Sequence, residues 1–464
     1  MKEELLAQLA PFGQEHLLAF WDRLAPDRQA ALAAQIRALD LALIARLYGE
    51  RDRKSDYRAL AERSSSPPAF RLPPARNRFT PQEAVARGEA ALAAGQVGAI
   101  LVAGGQGTRL GFPHPKGMFP IGPISGHSLF QIHIEKILAL GRRYGVRVPL
   151  CLMTSPATHD ETVEYLAEHA RFGLPADDLR VFCQGTMPAV DAASGRILLE
   201  SADGLVLSPD GHGGMLAALA CGGPLRQIEQ RGIQTLFYFQ VDNPLVDVGS
   251  PEFLGYHLLS NSEMSTQVVA KREPLERVGN VVEVDGRLRV IEYSDLPDDV
   301  ARQRLPDGSL RIWAGSIAVH AFATAFLARM AGRADALPFH VARKKVEHLD
   351  SAGRTVEPAE PNAVKFERFI FDLIPAAENA IVVEIDPAEG FAPLKNAPGE
   401  KQDTPEWVRR QMTARHRRWL RRAGVEVADD VPVEISPLFA RNPEELARKV
   451  RPGTAVTEAT FFGV

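Results

Sequence analysis

One stretch limits what this chain can fold into more than any other: Leu101–Gly122, LVAGGQGTRLGFPHPKGMFPIG. The run GAILVA at 98–103 is apolar throughout and stops at Gly104-Gly105. A short continuous apolar run ending in glycines predicts a buried strand feeding a tight loop. The glycines at 104, 105, 107 and 111 let a backbone approach a ligand closely and take φ > 0, so several N–H groups can converge on one anion. Arg109 adds a planar charged fork and Lys116 a point charge. Two familiar phosphate loops are excluded. The spacing is G-x-G-x-x-x-G, one residue off the dinucleotide fingerprint, and no suitable acid follows about 20 residues on. A P-loop needs Gly-Lys-Ser/Thr, whereas Lys116 stands between Pro115 and Gly117.

The pattern around this loop repeats strand after helix. Helical periodicity covers Ala84–Ala94, Leu129–Leu140 and Thr158–Ala170; buried strands are predicted at Val148–Thr154, Leu179–Gln184 and Thr235–Val241. Such alternation implies a mostly parallel sheet with helices on both faces. VVEVDGRLRVIEY (281–293) reads instead as a hairpin turning at Asp285-Gly286. Residues 1–63 read as surface helices, with Leu5, Leu6, Leu9 and Phe12, then Leu32, Ile36, Leu39 and Leu43, on one face. Ser64–Arg78 is rich in Ser, Pro and Arg and reads as an ordered crossing loop or a linker. Phe366, Phe369, Ile370 and Leu373 fall at i, i+3, i+4 and i+7, which predicts a helix with Lys365 at its start. Trp407–Ala423 predicts another, its Arg409–Arg422 cluster a solvated face.

Charge and cysteine content narrow the function classes. Lys plus Arg number 54 and Asp plus Glu 58, a net charge of −4 over 464 residues. That excludes a generally basic nucleic-acid coat or a polybasic membrane binder, though not a local positive pocket. No run of about 18 apolar residues appears, so no membrane-spanning helix is expected. The N-terminal MKEELLAQLAPFGQEHLL lacks a signal peptide's apolar core. Cys151, Cys183 and Cys221 are far apart and form no C-x-x-C pair, which fits a reducing cytoplasm.

Two further places carry chemistry. Asp242 ends the apolar strand TLFYFQV, and ligands of open α/β sheets sit beyond strand carboxyl ends. A carboxylate there either holds Mg²⁺ against substrate phosphates or caps a turn with Asn243 and Pro244. Gly211, His212, Gly213 and Gly214 follow Asp210 and precede the predicted helix Leu216–Ala220, a second glycine-lined approach. No Ser-His-Asp or Cys-His arrangement stands out.

L-x-A-G-G-x-G-T-R-L-G followed by P-K-G resembles the signature of the UTP-dependent sugar-1-phosphate uridylyltransferases, and most of all the eukaryote-type UDP-N-acetylglucosamine pyrophosphorylases. The resemblance continues in order through Phe182–Pro188, Ser208–Gly214, Val241–Asn243, Glu292–Ser294, Asn362–Asp372 and Ala392–Asn396, and even Gln14–Trp21 fits it. It implies an α/β, Rossmann-like nucleotidyltransferase fold: a mixed, mostly parallel sheet with flanking helices. On that basis 1–80 would be an N-terminal helical segment, 81–375 the catalytic domain, and 376–464 a C-terminal segment completing the site with a lysine loop. The implied reaction is UTP plus a hexose 1-phosphate giving a UDP-sugar and pyrophosphate, with Mg²⁺ as cofactor. UTP and the sugar phosphate would be its partners, with no nucleic acid and no membrane, in a cytoplasmic monomer or weak oligomer.

The resemblance also implies site roles. Arg109, Lys116 and Lys395 would be catalytic. Ala103, Gly104, Gly105, Gly107, Thr108, Lys116, Gln184, Gly211, Asp242 and Lys365 would bind UTP, and Asp242 the metal. His212, Glu292, Tyr293, Ser316 and Lys395 would meet the sugar. Lys344 and Lys345 read as a solvated pair. Two other classes remain in view. A glycosyltransferase should show D-x-D after a strand, where Val241-Asp242-Asn243 stands; a non-catalytic UDP-sugar sensor should have lost Arg109, Lys116 or Asp242. The N-acetylglucosamine pattern has Gly-Asn-Gly-Gly where Gly211-His212-Gly213-Gly214 stands, and Asn-Ala-Gly-Asn where Trp313-Ala314-Gly315-Ser316 stands. Those swaps lead to the expectation that Trp313 narrows the sugar space and that glucose 1-phosphate is accepted at least as well as N-acetylglucosamine 1-phosphate.

Overall fold

The computed structural model describes residues 1–52, 56–333 and 335–463; residues 53–55, within the segment read as helical, lie outside them. The chain forms two compact units, each assembled from three stretches: 1–56, 184–214 and 337–370 in one, 57–183, 215–336 and 371–464 in the other.

The larger unit is built on a ten-stranded sheet. Its strands in chain order are β1 (Ala69–Phe70), β2 (Val97–Val102), β3 (Leu150–Thr154), β4 (Leu179–Cys183), β5 (Thr235–Gln240), β6 (Met264–Ala270), β7 (Gly279–Val284), β8 (Arg287–Ile291), β9 (Ala314–Ala323) and β10 (Ile381–Glu384). The spatial order is β1-β10-β6-β9-β5-β2-β3-β4, with β7 joining β9 and carrying β8. Strands β4, β3, β2 and β5 run parallel, and β9 runs against both β5 and β6. Every residue of β2 and of β3 is buried, as continuous apolar runs between two helical layers require. The helices Pro81–Ala93 and Leu129–Tyr144 each start on a hydroxyl cap, Thr80 accepting from Glu83 N–H and Ser128 from Gln131 N–H. The β7–β8 hairpin turns at Asp285 (φ +51°) and Gly286 (φ +74°), the left-handed pair a two-residue turn demands.

Strand β9 bends midway. Thr266 faces His320 but Val268 faces Ser316, and Ala318 takes φ +54°. This bulge passes β9 from a place between β5 and β6 to one between β6 and β7. The Ser64–Arg78 segment contributes β1 to the sheet edge. The helix Pro405–Arg422 packs against the paired strands Val433–Ile435 and Thr460–Phe462 around Trp419, Leu420 and Ile435. Its arginines are not all solvated: Arg415 is 7% exposed and donates to the Leu245 carbonyl at 2.8 Å.

In the smaller unit the helices Lys2–Leu9, Pro26–Arg37 and Leu41–Gly49 bury Leu5, Leu9, Leu32, Ile36 and Ile44 against Val190, Val364 and Phe366. The helix predicted around Phe366 is absent. Ala363–Glu367 is instead the central strand of a three-stranded sheet, between His340–Lys344 and Val190–Asp191. Val364 and Phe366 alternate with Lys365 and Glu367, and that period of two is the one realised. Helical turns resume only at Ile370–Ala376, as a 3₁₀ segment containing Pro375.

Candidate active site

In the larger unit, β2 delivers the glycine loop to the carboxyl edge of the sheet. Ala103 N–H still pairs with Met153 O at 2.8 Å, and then the chain leaves the ladder. The loop folds back on itself through Gly107 N–H to His114 O (2.9 Å) and Lys116 N–H to Gly105 O (3.0 Å). The glycines serve close approach more than unusual φ, since Gly111 (φ +68°) is the loop's one left-handed residue. A side chain at Gly107 would start 2.7 Å from Phe112 O, and one at Gly117 would start 2.2 Å from the Phe130 ring. Gly105 is exposed with nothing within 4 Å of that point, so its backbone faces open space a ligand can enter. Thr108 and Arg109 follow on an exposed 3₁₀ turn, Thr108–Leu110.

Lys116, Asp242 and Lys395 meet at one place, and the charge of Arg109 reaches Lys116. Lys116 Nζ donates to Leu394 O at 3.3 Å, and Leu394 N–H donates to Asp242 O at 2.8 Å. Lys395 is the next residue, exposed on its loop. Burial holds the Lys116 ammonium below its ordinary pKa; the Asp242 carboxylate opposes that, while Lys395 and Arg109 add to it. A half-buried lysine with two further cations acting on it is an arrangement that an incoming polyanion relieves.

The turn-capping alternative for Asp242 fails on the geometry, because Asn243 does that work. Its Oδ1 accepts from Leu245 N–H (3.2 Å) and Ala392 N–H (3.1 Å), and its Nδ2 donates to Gly390 O (2.8 Å). Among the described residues the half-buried Asp242 carboxylate accepts no hydrogen bond. An unspent carboxylate at a strand end fits a divalent cation. Among the described residues no three His, Cys, Asp or Glu side chains gather to complete a shell, so substrate oxygens would supply the rest.

Sequence reasoning missed the groups that fix this strand end. His133 shares its Nε2 with Val241 O at 3.0 Å, and burial pushes its pKa down to about 3. Buried Lys136 donates to Pro244 O (2.5 Å) and Val246 O (2.8 Å), and Arg441 to Val248 O (2.7 Å). Together with Arg415 they spend side-chain N–H donors on the carbonyls on either side of Asp242. The available signal was polar residues at buried helical spacing on Leu129–Tyr144.

In the smaller unit Gln184, Asp210, Gly211 and His212 form a second group. Gln184 Nε2 lies 3.3 Å from Gly211 O and 3.5 Å from Asp210 Oδ1. Asp210 is buried and ion-paired with Arg368, while burial pushes its pKa up. Gly211 takes φ +84°, and a side chain there would start 2.4 Å from Arg368 O. His212 Nδ1 accepts the Ile370 N–H at 3.2 Å, and burial with His340 nearby lowers its pKa to about 4. The ring is therefore neutral at pH 7 with its hydrogen on Nε2. Lys365 lies on its strand, half-buried, held below its ordinary pKa by burial. Lys344 and Lys345 are exposed.

Of the larger-unit residues expected to meet the sugar, Ser316 and Glu292 flank Gly279. Ser316 pairs with Gly279 across β7 and β9, and Glu292 Oε1 lies 3.3 Å from where a Gly279 side chain would start. Tyr293 is 49% exposed. Trp313 is buried, its ring 3.5 Å beneath the Arg71 guanidinium, which pairs with Glu384 at 2.7 Å.

The glycine loop, the neighbouring cations and the strand-end carboxylate at the carboxyl edge of this sheet have the chemistry to receive a nucleotide's phosphates. Residues 64–402 match the UTP--glucose-1-phosphate uridylyltransferase family, and the chain belongs to it. It is 36% identical to the human UDP-N-acetylhexosamine pyrophosphorylase-like protein 1, over 92% of this chain and 87% of that one. Identity to the Saccharomyces cerevisiae UDP-N-acetylglucosamine pyrophosphorylase is 37%, over 77% and 76%. The crystal structure of the Trypanosoma brucei uridine diphosphate N-acetylglucosamine pyrophosphorylase superposes with a TM-score of 0.81 at 25% identity, covering 100% of this chain and 98% of that one. The chain is thus a UTP-dependent sugar-1-phosphate uridylyltransferase, forming a UDP-sugar and pyrophosphate. Among the described residues no helix is long and apolar enough to cross a membrane.

Proposed function

We propose that the gathered charges of the larger unit handle the phosphates in a direct displacement. The observation that carries this reading is the meeting of Lys116 with the Leu394–Lys395 backbone, which is itself bonded to the Asp242 main chain, with the charges of Asp242, Lys395 and Arg109 all acting on Lys116. The nucleophile is a phosphate oxygen of the sugar 1-phosphate, already anionic at pH 7, so no general base is needed. It attacks the α-phosphorus of UTP in line, and pyrophosphate leaves opposite. Catalysis is then positioning plus charge stabilisation. The amides of Gly104, Gly105 and Thr108, with Arg109, hold the β- and γ-phosphates, while Ala103 and Gly107, whose N–H groups are spent on Met153 O and His114 O, shape the UTP-binding loop. Lys116 and Lys395 relieve the repulsion between two phosphate-bearing substrates, and Lys365 adds a phosphate-side charge. Asp242 is the residue to hold Mg²⁺, which when bound supplies positive charge against the α-phosphate and the departing group. The Gln184 amide, a donor and an acceptor together, suits the imide edge of uracil beside Gly211.

The sugar falls to His212, Glu292, Tyr293, Ser316 and Lys395. A neutral His212 has its Nδ1 already accepting from Ile370 N–H, so it does not bring the acceptor an asparagine would. Ser316 is likewise shorter than an amide. An acetamido group therefore gains little from these two positions. Glucose 1-phosphate should be used at least as well as N-acetylglucosamine 1-phosphate, although the named relatives carry N-acetylated sugars in their names. Comparing kcat/KM for the two sugar phosphates with UTP and Mg²⁺ decides it. A preference beyond about a hundredfold for the N-acetylated sugar, roughly 2.7 kcal/mol, would contradict this assignment.

A further inference from the structure

The proposed chemistry asks an exposed lysine, its ammonium 6.0 Å from the Phe391 ring centroid, to stand at one point. Lys395 heads a loop that leaves the core at buried Leu394 and returns at Thr404, the N-cap of the helix Pro405–Arg422. Both ends of this loop close on one residue. The main-chain N–H groups of Lys395 and Asn396 donate to the Asp403 carbonyl, at 2.8 and 3.0 Å. The Asn396 side chain adds a bond to Gln402 O at 2.9 Å. To aim its carbonyl at both amides, Asp403 takes φ +61°, a conformation Asp and Asn tolerate better than most residues with a Cβ.

The side chain of the same residue sits in the field of Lys395. Asp403, Lys395, Asn396, Gln402, Arg272 and Glu276 line one cavity of about 490 Å³. Lys395 and Arg272 are the cations acting on the Asp403 carboxyl, against burial and the anions Asp242 and Glu276, which push its pKa up. Arg272 is committed elsewhere: it grips Glu276 Oε1 through Nε and Nη2 (3.0 and 2.7 Å) and reaches Gln402 Oε1 at 3.2 Å. Of the two cations acting on Asp403, Lys395 has the larger influence.

We propose that Asp403 is a positioning residue for Lys395: its carbonyl closes the loop, and its carboxylate keeps the ammonium beside Asp242 until a substrate phosphate takes over. This rests on reading Lys395 as a phosphate-facing charge. Asp403→Asn keeps the left-handed backbone and the carbonyl while removing the charge, and Asp403→Gly keeps the backbone alone. Both variants should melt within about 2 °C of the parent, since no buried contact is lost. In both, kcat should fall at least about tenfold while the KM for UTP moves less than about threefold, as for an interaction felt in the transition state. In a Lys395→Ala background, Asp403→Asn should cost nothing further, because the group it acts through is gone. Wild-type kcat in Asp403→Asn, or an equal loss with and without Lys395, overturns the inference. Failure of the underlying reading looks different: Lys395→Ala then turns over normally, whatever stands at 403.

Discussion

Asp242→Asn should cut Mg²⁺-dependent turnover by on the order of a thousandfold, the scale of removing one preorganised electrostatic contact, and leave the fold intact. The fold survives because Asp242 holds its neighbours through its main chain, the carbonyl accepting Leu394 N–H. The turn itself is closed by Asn243. What the substitution removes is the carboxylate that offsets the burial of Lys116. Two effects then add. The cation loses its protein ligand, and Lys116 loses the charge that opposes the effect of its burial, so its ammonium form is further disfavoured. A Mg²⁺ titration of initial rate beside a thermal melt separates these from unfolding. A folded Asp242→Asn enzyme with near-normal Mg²⁺-dependent rates would remove Asp242 from the mechanism.

Lys116→Ala and Lys395→Ala should each lower kcat. A charge-assisted contact to a phosphate is worth about 1.5–3 kcal/mol, so losses of roughly tenfold to over a hundredfold are expected. The two substitutions differ structurally. Lys116 is half-buried and also loses its bond to Leu394 O, so its variant should show some loss of thermal stability; Lys395 is exposed, so its variant should not. Arg109→Lys should cost activity as well, because a point charge cannot reproduce the guanidinium fork. Wild-type turnover in both lysine variants would show that these charges do not face the reacting phosphates.

Much of this site is legible in the residues themselves because it uses signals that survive without tertiary context. A continuous apolar run broken by glycines marks β2 and its loop, and an apolar run closed by Asp-Asn-Pro marks β5 and Asp242. Other parts are not legible, for physical reasons. Phe366, Phe369, Ile370 and Leu373 fit a helical face by coincidence, and the strand at Ala363–Glu367 follows from the two strands that pair with it. Local pattern does not distinguish Asp242 from Asn243 as the turn-closing residue; the partners Gly390 and Ala392 lie far along the chain. Arg415 belongs to a helix of otherwise surface arginines and is buried because the Leu245 carbonyl needs a donor. Nor does the order of residues show that each compact unit draws on three separate stretches.

The central claim is a single in-line displacement on the α-phosphorus with no covalent enzyme intermediate. Stereochemistry tests it most directly. UTP bearing sulfur in place of one non-bridging α-oxygen, in one known configuration, is turned over with sugar 1-phosphate, and the UDP-sugar product is analysed at phosphorus. Inversion is the predicted result, because the sugar phosphate itself attacks opposite the leaving pyrophosphate. Retention would require two displacements and a uridylylated side chain, and would contradict the account.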